Sequence, residues 1–564
     1  MAVNPSIQLG TSGNWAIKED NLLAYKQLGN KFFDREFDFS RGTTATFVGR
    51  NGLIQESFLT GTELVTNGDF ATDSDWVESG GATISGGQAN IVGDGTSFTN
   101  IIQYSIFTIG KKYKVSVDVT ISSGLGLKFQ DGANNENIGF ATTSGTYVFY
   151  FTGTSNANFV IGRRTGGTAF NSSVNNVSIK EIQLDVPRID FTDDPTGHLL
   201  LEPQSTNILA YSQDFSQNYW GKKSATVTTS TITDPTGDQN SFKLVPNSGT
   251  GGNRSIGKNF LSLSGLHTQS VFAKKGEYSY IALRTRNNPN VSVMFDLENG
   301  TFNVNQTSVA FVSAKIEDYG SGWYKCSITV DPSQMSSAGQ IFTSFSVGIT
   351  GNETNSFDGD GTSGVYIFGA QFEQNSFATS YIPTSGSTST RNQELCNNSG
   401  TVNDFNSEEG VLYAEIAALA DDLTYREITL SDGTSNNRVE LRFRNVSNDI
   451  GAVVRSIDGA IQVSLGSNAY TITSFNKIAI SYKSNDFNFW INGVKIGTDT
   501  SGVTPIGLSE LAFDANGSDA LPFFGKTKNV KAFKRALTDA ELYLLTVTQY
   551  QSYQEMATAL NYTL

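Results

Sequence analysis

Two cysteines in 564 residues, Cys326 and Cys396, are too few for a disulfide framework, so packing must hold this chain together. Histidine is equally scarce. His198 and His267 stand far apart in no zinc-binding spacing, and any Ser-His-Asp or Cys-His centre would have to recruit one of them. No Gly-x-Ser-x-Gly elbow and no phosphate loop occurs. No run of about 18 apolar residues occurs, so no helix is expected to span a membrane. The first residues, Met1-Ala2-Val3-Asn4-Pro5-Ser6, lack a basic start and an apolar stretch, so synthesis in a cytoplasm without a secretory signal is expected. Charged residues make up only 16%, the formal net charge is −15, and there is no basic run. Such a chain has little to grip a nucleic-acid backbone with, and its acidity serves solubility.

What the chain does have is 56 glycines against 11 prolines, much Thr, Ser and Asn, and short β-branched and aromatic runs between them. That is the composition of many short strands joined by tight turns. The length calls for about three to four domains. In Lys112-Tyr113-Lys114-Val115-Ser116-Val117-Asp118-Val119-Thr120 apolar and polar residues alternate strictly, the mark of an antiparallel sheet with one face on a core. Asp131-Gly132, Asn299-Gly300 and Asn492-Gly493 supply turn signals. In 322–330, alternation puts Cys326 on the face of Tyr324, Ile328 and Val330, where it is expected to be a small buried residue.

An internal repeat points to modules. Leu64, Asp69 and Phe70 recur at the same spacing as Leu209, Asp214 and Phe215, and a tryptophan follows each set, Trp76 and Trp220. Each tryptophan could be a sugar-stacking platform, but large aromatics mostly serve packing, and that reading is preferred.

Residues 63–70, 110–118 and 175–182 resemble the opening, middle and closing strands of carbohydrate-binding-module jelly rolls. The stretches 199–209 and 377–384 resemble a segment frequent in structural proteins of tailed phages, as does 37–47 with Gly52-Leu53-Ile54. In such proteins that last stretch runs soon into a Pro-Arg-Ile-Asp segment, here Pro187-Arg188-Ile189-Asp190. The first sandwich then reads as an insertion, with residues 30–60 packing on the second. Residues 487–493 and 524–542 resemble the end of a laminin-G or concanavalin-like jelly roll, with Thr538 capping a short helix and Glu541 returning the hydrogen bond.

These readings give an all-β chain of tandem antiparallel β-sandwiches, or jelly rolls, with a short C-terminal helical tail. The boundaries are an N-terminal virion-attachment segment 1–60, a carbohydrate-binding-module-like sandwich 61–185, a related sandwich 186–390, a linker 391–404, a laminin-G-like domain 405–550 and a tail 551–564. The resemblance implies a non-enzymatic fibre or decoration protein on the outer surface of a phage virion. It implies a homotrimer, attached to other virion proteins through the N-terminal segment and presenting its sandwiches to host-surface glycans. A polysaccharide-degrading tail spike and a secreted bacterial adhesin are the alternatives. The 54 acidic residues leave a carboxylate pair available for glycosidase chemistry, but degrading spikes resemble long β-helices, unlike this spacing. Two local sites stand out. Alternation in 487–491 puts Phe487, Phe489 and Ile491 on the core face and leaves Asn488 and Trp490 on the other, a candidate glycan platform whose alternative is packing under the following helix. Asp358 and Asp360, in a glycine-rich loop, offer hard oxygen ligands suited to calcium, or else cap a turn.

Overall fold

A computed structural model describes residues 4–547 except 11–14, 16, 19–20, 29–30, 133–135, 155–157, 165, 253, 262, 287–289, 307, 336–340, 349–355 and 516–519. The helical tail expected at 551–564 lies outside the described residues. The described chain is almost entirely antiparallel β-structure, divided into two compact units, Phe58–Leu184 and the remainder.

The smaller unit is a sandwich. One sheet runs Gly145–Thr152, Lys112–Ser123, Phe170–Gln183, Gln88–Gly93, Thr83–Ser85, and the other Glu136–Ala141, Leu127–Asp131, Phe159–Arg163, Asn100–Gln103, Val77–Ser79. Alternation does the sorting. Tyr113, Val115, Val117 and Val119 are buried against Phe129, Phe159 and Ile161, while Lys112, Lys114 and Ser116 face outward. Trp76 is in this core, its Nε1 donating to the Asn67 carbonyl at 3.1 Å.

In the larger unit a second sandwich spans roughly 205–373. It repeats the device: Trp220 is buried beside Phe215, and its Nε1 donates to the carbonyl of Tyr211, again nine residues earlier. Cys326 is fully buried in this core. A third sandwich follows. Its smaller sheet orders Ala460–Ser467, Ile450–Ser456, Arg438–Phe443, Arg426–Ser431 and Glu510–Ala512. Its larger sheet contains Gly525–Phe533, Glu409–Ala418, Asn476–Lys483, Asp486–Ile491 and Val494–Asp499. The N-terminal segment extends that larger sheet. Ile7–Leu9 pairs antiparallel with Gly525–Phe533, burying Ile7 and Leu9, and Lys31–Ser40 bridges Asn21–Leu28 to Leu395–Asn397. The hairpin of Thr46–Val48 and Ile54–Glu56 packs Val48 and Ile54 against Phe272, Trp323, Phe368 and Tyr381 of the second sandwich. Residues 391–404, expected as a linker from their polar composition, are built into the fold. Arg391, Glu394, Asn397, Ser399 and Asp404 are all buried.

The reason is an ionic network. Arg188 donates to both carboxylates, Nε to Glu394 Oε1 at 2.8 Å and Nη2 to Glu202 Oε2 at 2.9 Å, and to the Thr46 carbonyl and Ser380 Oγ at 2.7 Å. Arg41 joins Glu394 at 2.9 Å, and Arg391 joins Glu202 at 2.7 Å. All five charged groups are buried. Burial works against ionisation of Glu202, but Arg391, Arg188 and hydrogen bonds from Ser380 outweigh it and hold its carboxyl down at about 2. Glu394 is lowered by Arg188 and Arg41 against the same burial cost. Burial, only partly offset by Glu394, pulls Arg41 down to about 10. Removing one partner from such a group leaves buried charge uncompensated, which costs about 3–5 kcal/mol. We therefore expect Arg188→Met to destabilise the larger unit by about that amount in urea titration. The depressed Glu202 carboxyl stabilises the fold above the ordinary carboxylate range, and that stability drains away as pH falls from about 4.5 towards about 2. A shift of this size corresponds to about 3 kcal/mol. Glu202→Gln should flatten that limb of the stability–pH curve, measured by chemical unfolding at pH 2–6.

Candidate functional site

The hairpin that carries Arg188 also opens onto a cleft. Arg188–Asp190 pairs with His198–Leu201, placing Asp190 directly opposite His198. The turn between them closes on Gly197, whose φ is +72° and whose N–H donates to the Asp194 carbonyl at 3.0 Å. A Cβ there would stand 2.7 Å from the Phe191 ring, so only glycine fits. Leu199–Leu201 pairs onward with Gly525–Phe533, so Lys526 on that strand is brought beside the turn. Its Nζ donates to Asp193 Oδ2 at 2.5 Å.

One wall of the cleft is a strand pair of the second sandwich. Phe311–Asp318 and Trp323–Val330 put Ser313 opposite Thr329, Lys315 opposite Ser327 and Glu317 opposite Lys325, all on one face. This is the outer face of the strand that buries Cys326 and Ile328 inward. The other wall is 418–423 with Thr473 from the third sandwich, and the loop with Ser376, Phe377 and Ser380 closes one end. The enclosed volume is about 910 Å³. Ser376 Oγ donates to Asp422 Oδ2 at 3.0 Å, joining loop to wall.

The cleft is charged, and Asp193, Glu317 and Asp422 have cations at hand. Burial raises Asp193, but Lys526 outweighs it and holds the carboxyl low. Glu317 is likewise held low by Lys315 and Lys325, and Asp422 by Arg426, each against burial. Burial lowers Lys325, whose Nζ donates to the Thr379 carbonyl at 2.5 Å. His198 is wholly buried, and burial pulls it down to about 4 despite Asp190 and Asp193, so its ring is neutral at neutral pH.

The residues singled out in the sequence lie elsewhere. Trp490 is on the face opposite Phe487, Phe489 and Ile491, but the helix Asp539–Thr546 docks over that face. The ring is 7% exposed, packed with Val411, Tyr413, Phe533, Leu537 and Leu542, so no open face is left for a sugar. The helix is set there by its capping box, with Thr538 N–H donating to Glu541 Oε2 at 2.9 Å. Asn488 is buried with its amide satisfied locally, donating to Asp486 Oδ1 and accepting from Thr498 Oγ1, both at 2.8 Å. Asp358 and Asp360 are exposed. Asp360 caps its own turn, accepting from the N–H groups of Thr362 and Ser363 and from Ser363 Oγ, which holds its carboxyl very low. Among the described residues, no three His, Cys, Asp or Glu side chains converge on this loop. Among the described residues the group that does converge is Asp190, Asp193 and His198. Sequence reasoning passed over it because one histidine and two aspartates on a hairpin match no spacing signature.

A family model described as the concanavalin A-like lectin/glucanases superfamily matches residues 418–543, within the third sandwich. No curated protein matches the chain. Among solved structures, the CBM40 of the Ruminococcus gnavus IT-sialidase bound to α2,3-sialyllactose aligns at 18% identity, covering 27% of this chain and 93% of that one, with a TM-score of 0.23. The leech intramolecular trans-sialidase aligns at 20% over 26% of this chain and 24% of that one, with a TM-score of 0.22. The CBM22-1–CBM22-2 tandem domain of Paenibacillus barcinonensis Xyn10C aligns at 11% over 60% of this chain and all of that one, with a TM-score of 0.21. Likenesses this distant speak to neither ligand nor activity.

The packing of Trp490 has a direct consequence. Truncating a buried tryptophan costs about 3–5 kcal/mol, so Trp490→Ala should lower the unfolding free energy of the third sandwich by that amount, read by denaturant titration. A surface tryptophan would leave it unchanged.

Proposed function

We propose that this chain is a non-enzymatic, glycan-binding structural protein of a phage virion, with the 910 Å³ cleft of the larger unit as its binding site. The observation that carries the binding reading is the composition of that cleft. Its volume falls in the range of ligand pockets, roughly 300–1,000 Å³. Its lining combines hydroxyl-bearing Thr192, Ser313, Ser327, Thr329, Ser376 and Thr473 with Lys315, Asp421 and the half-buried ring of Phe377. Sugars are held by such a combination, an aromatic ring under the apolar C–H face and polar groups on the hydroxyls. One of its walls is a strand pair, Phe311–Asp318 with Trp323–Val330, which holds Ser313, Lys315, Ser327 and Thr329 in place without a ligand.

Hydrolysis asks for something different. A glycosidase acid must keep its proton near neutral pH, whereas Asp193, Glu202, Glu317 and Asp422 in the cleft are all held low by adjacent cations. Glu427 is pushed upward, by burial and then by Glu440, but both side chains are wholly buried, with Arg442 between them at 3.2 and 3.1 Å. That carboxyl is shut away from substrate.

The virion setting rests on the phage-like segments. Residues 37–47, 187–190, 199–209 and 377–384 supply Arg41, Arg188, Glu202 and Ser380, so they meet in one network and form one structural module. A virion fibre gains avidity by presenting linked copies, and we extend the reading to a homotrimer. Light scattering on the full chain should return a trimer, and a monomer in both solution and particle would contradict that assembly. For the site, Phe377→Ala should abolish binding to host-surface polysaccharide on a glycan array with the melting temperature unchanged. Undiminished binding would remove the cleft from consideration.

A further inference from the structure

His198 is an anomaly for a buried histidine. Its side chain has no exposed surface, it lines the cleft, and neither ring nitrogen has a hydrogen-bond partner. A neutral imidazole always carries one N–H, and leaving such a group unpaired inside a protein costs about 1–3 kcal/mol. Phe475 meets the ring edge-on at 5.7 Å and offers no acceptor. A carboxylate stands on either side. Nε2 lies 3.9 Å from Asp190 Oδ1 and Nδ1 lies 3.8 Å from Asp193 Oδ1, both too far for a hydrogen bond.

The two carboxylates are differently held. Asp190 is fixed by the backbone: its Oδ2 accepts from Val48 N–H at 2.8 Å and its Oδ1 from Thr192 N–H at 2.9 Å. Asp193 is about half exposed, at the tip of the hairpin, and accepts through Oδ2 from Lys526. One ligand atom from each of Asp190, Asp193 and His198 can be chosen so that all lie within 4.8 Å of one another. An unpaired imidazole nitrogen and two carboxylate groups form a nitrogen-and-oxygen donor set of the kind zinc and its first-row neighbours take, at metal–ligand distances of about 2.0–2.2 Å. The set must therefore contract somewhat around an ion, and half-exposed Asp193 is the member free to swing in.

We propose that Asp190, Asp193 and His198 form a divalent transition-metal site in the wall of the cleft, taking zinc or a similar ion, with cleft water completing the shell. This site goes beyond the glycan reading and stands or falls separately from it. Lys526 is the counterweight. Its ammonium shares Asp193 and repels an incoming cation, so it sets the affinity below what the three ligands alone would give.

The test uses the full chain, stripped with EDTA, dialysed and titrated with Zn²⁺ by calorimetry, with X-ray absorption of the loaded protein. One equivalent should bind, with a shell of nitrogen and oxygen containing a single imidazole. Asp193→Asn, at a half-exposed position, should leave the metal-free protein folded by circular dichroism and abolish that equivalent. Lys526→Gln should tighten binding by about tenfold, the scale on which groups around the ligands tune affinity. No stoichiometric binding, a shell without imidazole, or binding that survives Asp193→Asn would overturn the site.

Discussion

The larger unit depends on the ion pairs around Arg188. Three arginines and two glutamates are buried together, and they come from parts of the chain far apart in sequence: 41, 188, 202, 391 and 394. A buried ion group is weak evidence of stability in itself, since desolvation can equal the Coulombic gain. Its effect is on specificity. Glu202 and Glu394 must meet Arg188, Arg41 and Arg391, and in any other arrangement of these segments the charges would be buried without partners. The network therefore fixes where the N-terminal hairpin, the 188–201 hairpin and the end of the second sandwich sit.

The cleft follows from that constraint. Arg188 anchors one strand of the hairpin, Asp190 lies two residues on, and the pairing of 199–201 with the last strand of the third sandwich brings Lys526 to the turn. Glu202 and Ser380 belong both to the network and to the cleft lining, so the floor of the site is also the most constrained part of the unit. A site built on such a floor needs little reorganisation on binding, which is where affinity is otherwise lost.

Much of this was legible locally. Alternation in 112–120 identifies the buried face of that strand, alternation in 322–330 places Cys326 on the buried face of its strand, and Thr538 with Glu541 marks a capped helix. The polar face of 325–329, with Lys325, Ser327 and Thr329, is equally readable as the other face of the Cys326 strand. The rest is long-range. Trp490 was placed on the correct face of its strand, but the docking of an eight-residue helix over it is decided by contacts some 50 residues away in sequence. Residues 391–404 look like a linker by composition, because nothing in Arg391 or Glu394 alone reveals that their partners are Glu202 and Arg41. Asp190 and His198 become neighbours only through strand register, and Asp193 joins them only because the turn folds back.

The proposed glycan site is the cleft of the larger unit. Hydrogen–deuterium exchange of the full chain, with and without host-surface polysaccharide, tests it most directly. Protection should appear in 313–319, 323–329 and 376–380 together, the strands and loop that wall the cleft. Protection confined to other surfaces, or none at saturating polysaccharide, would contradict it.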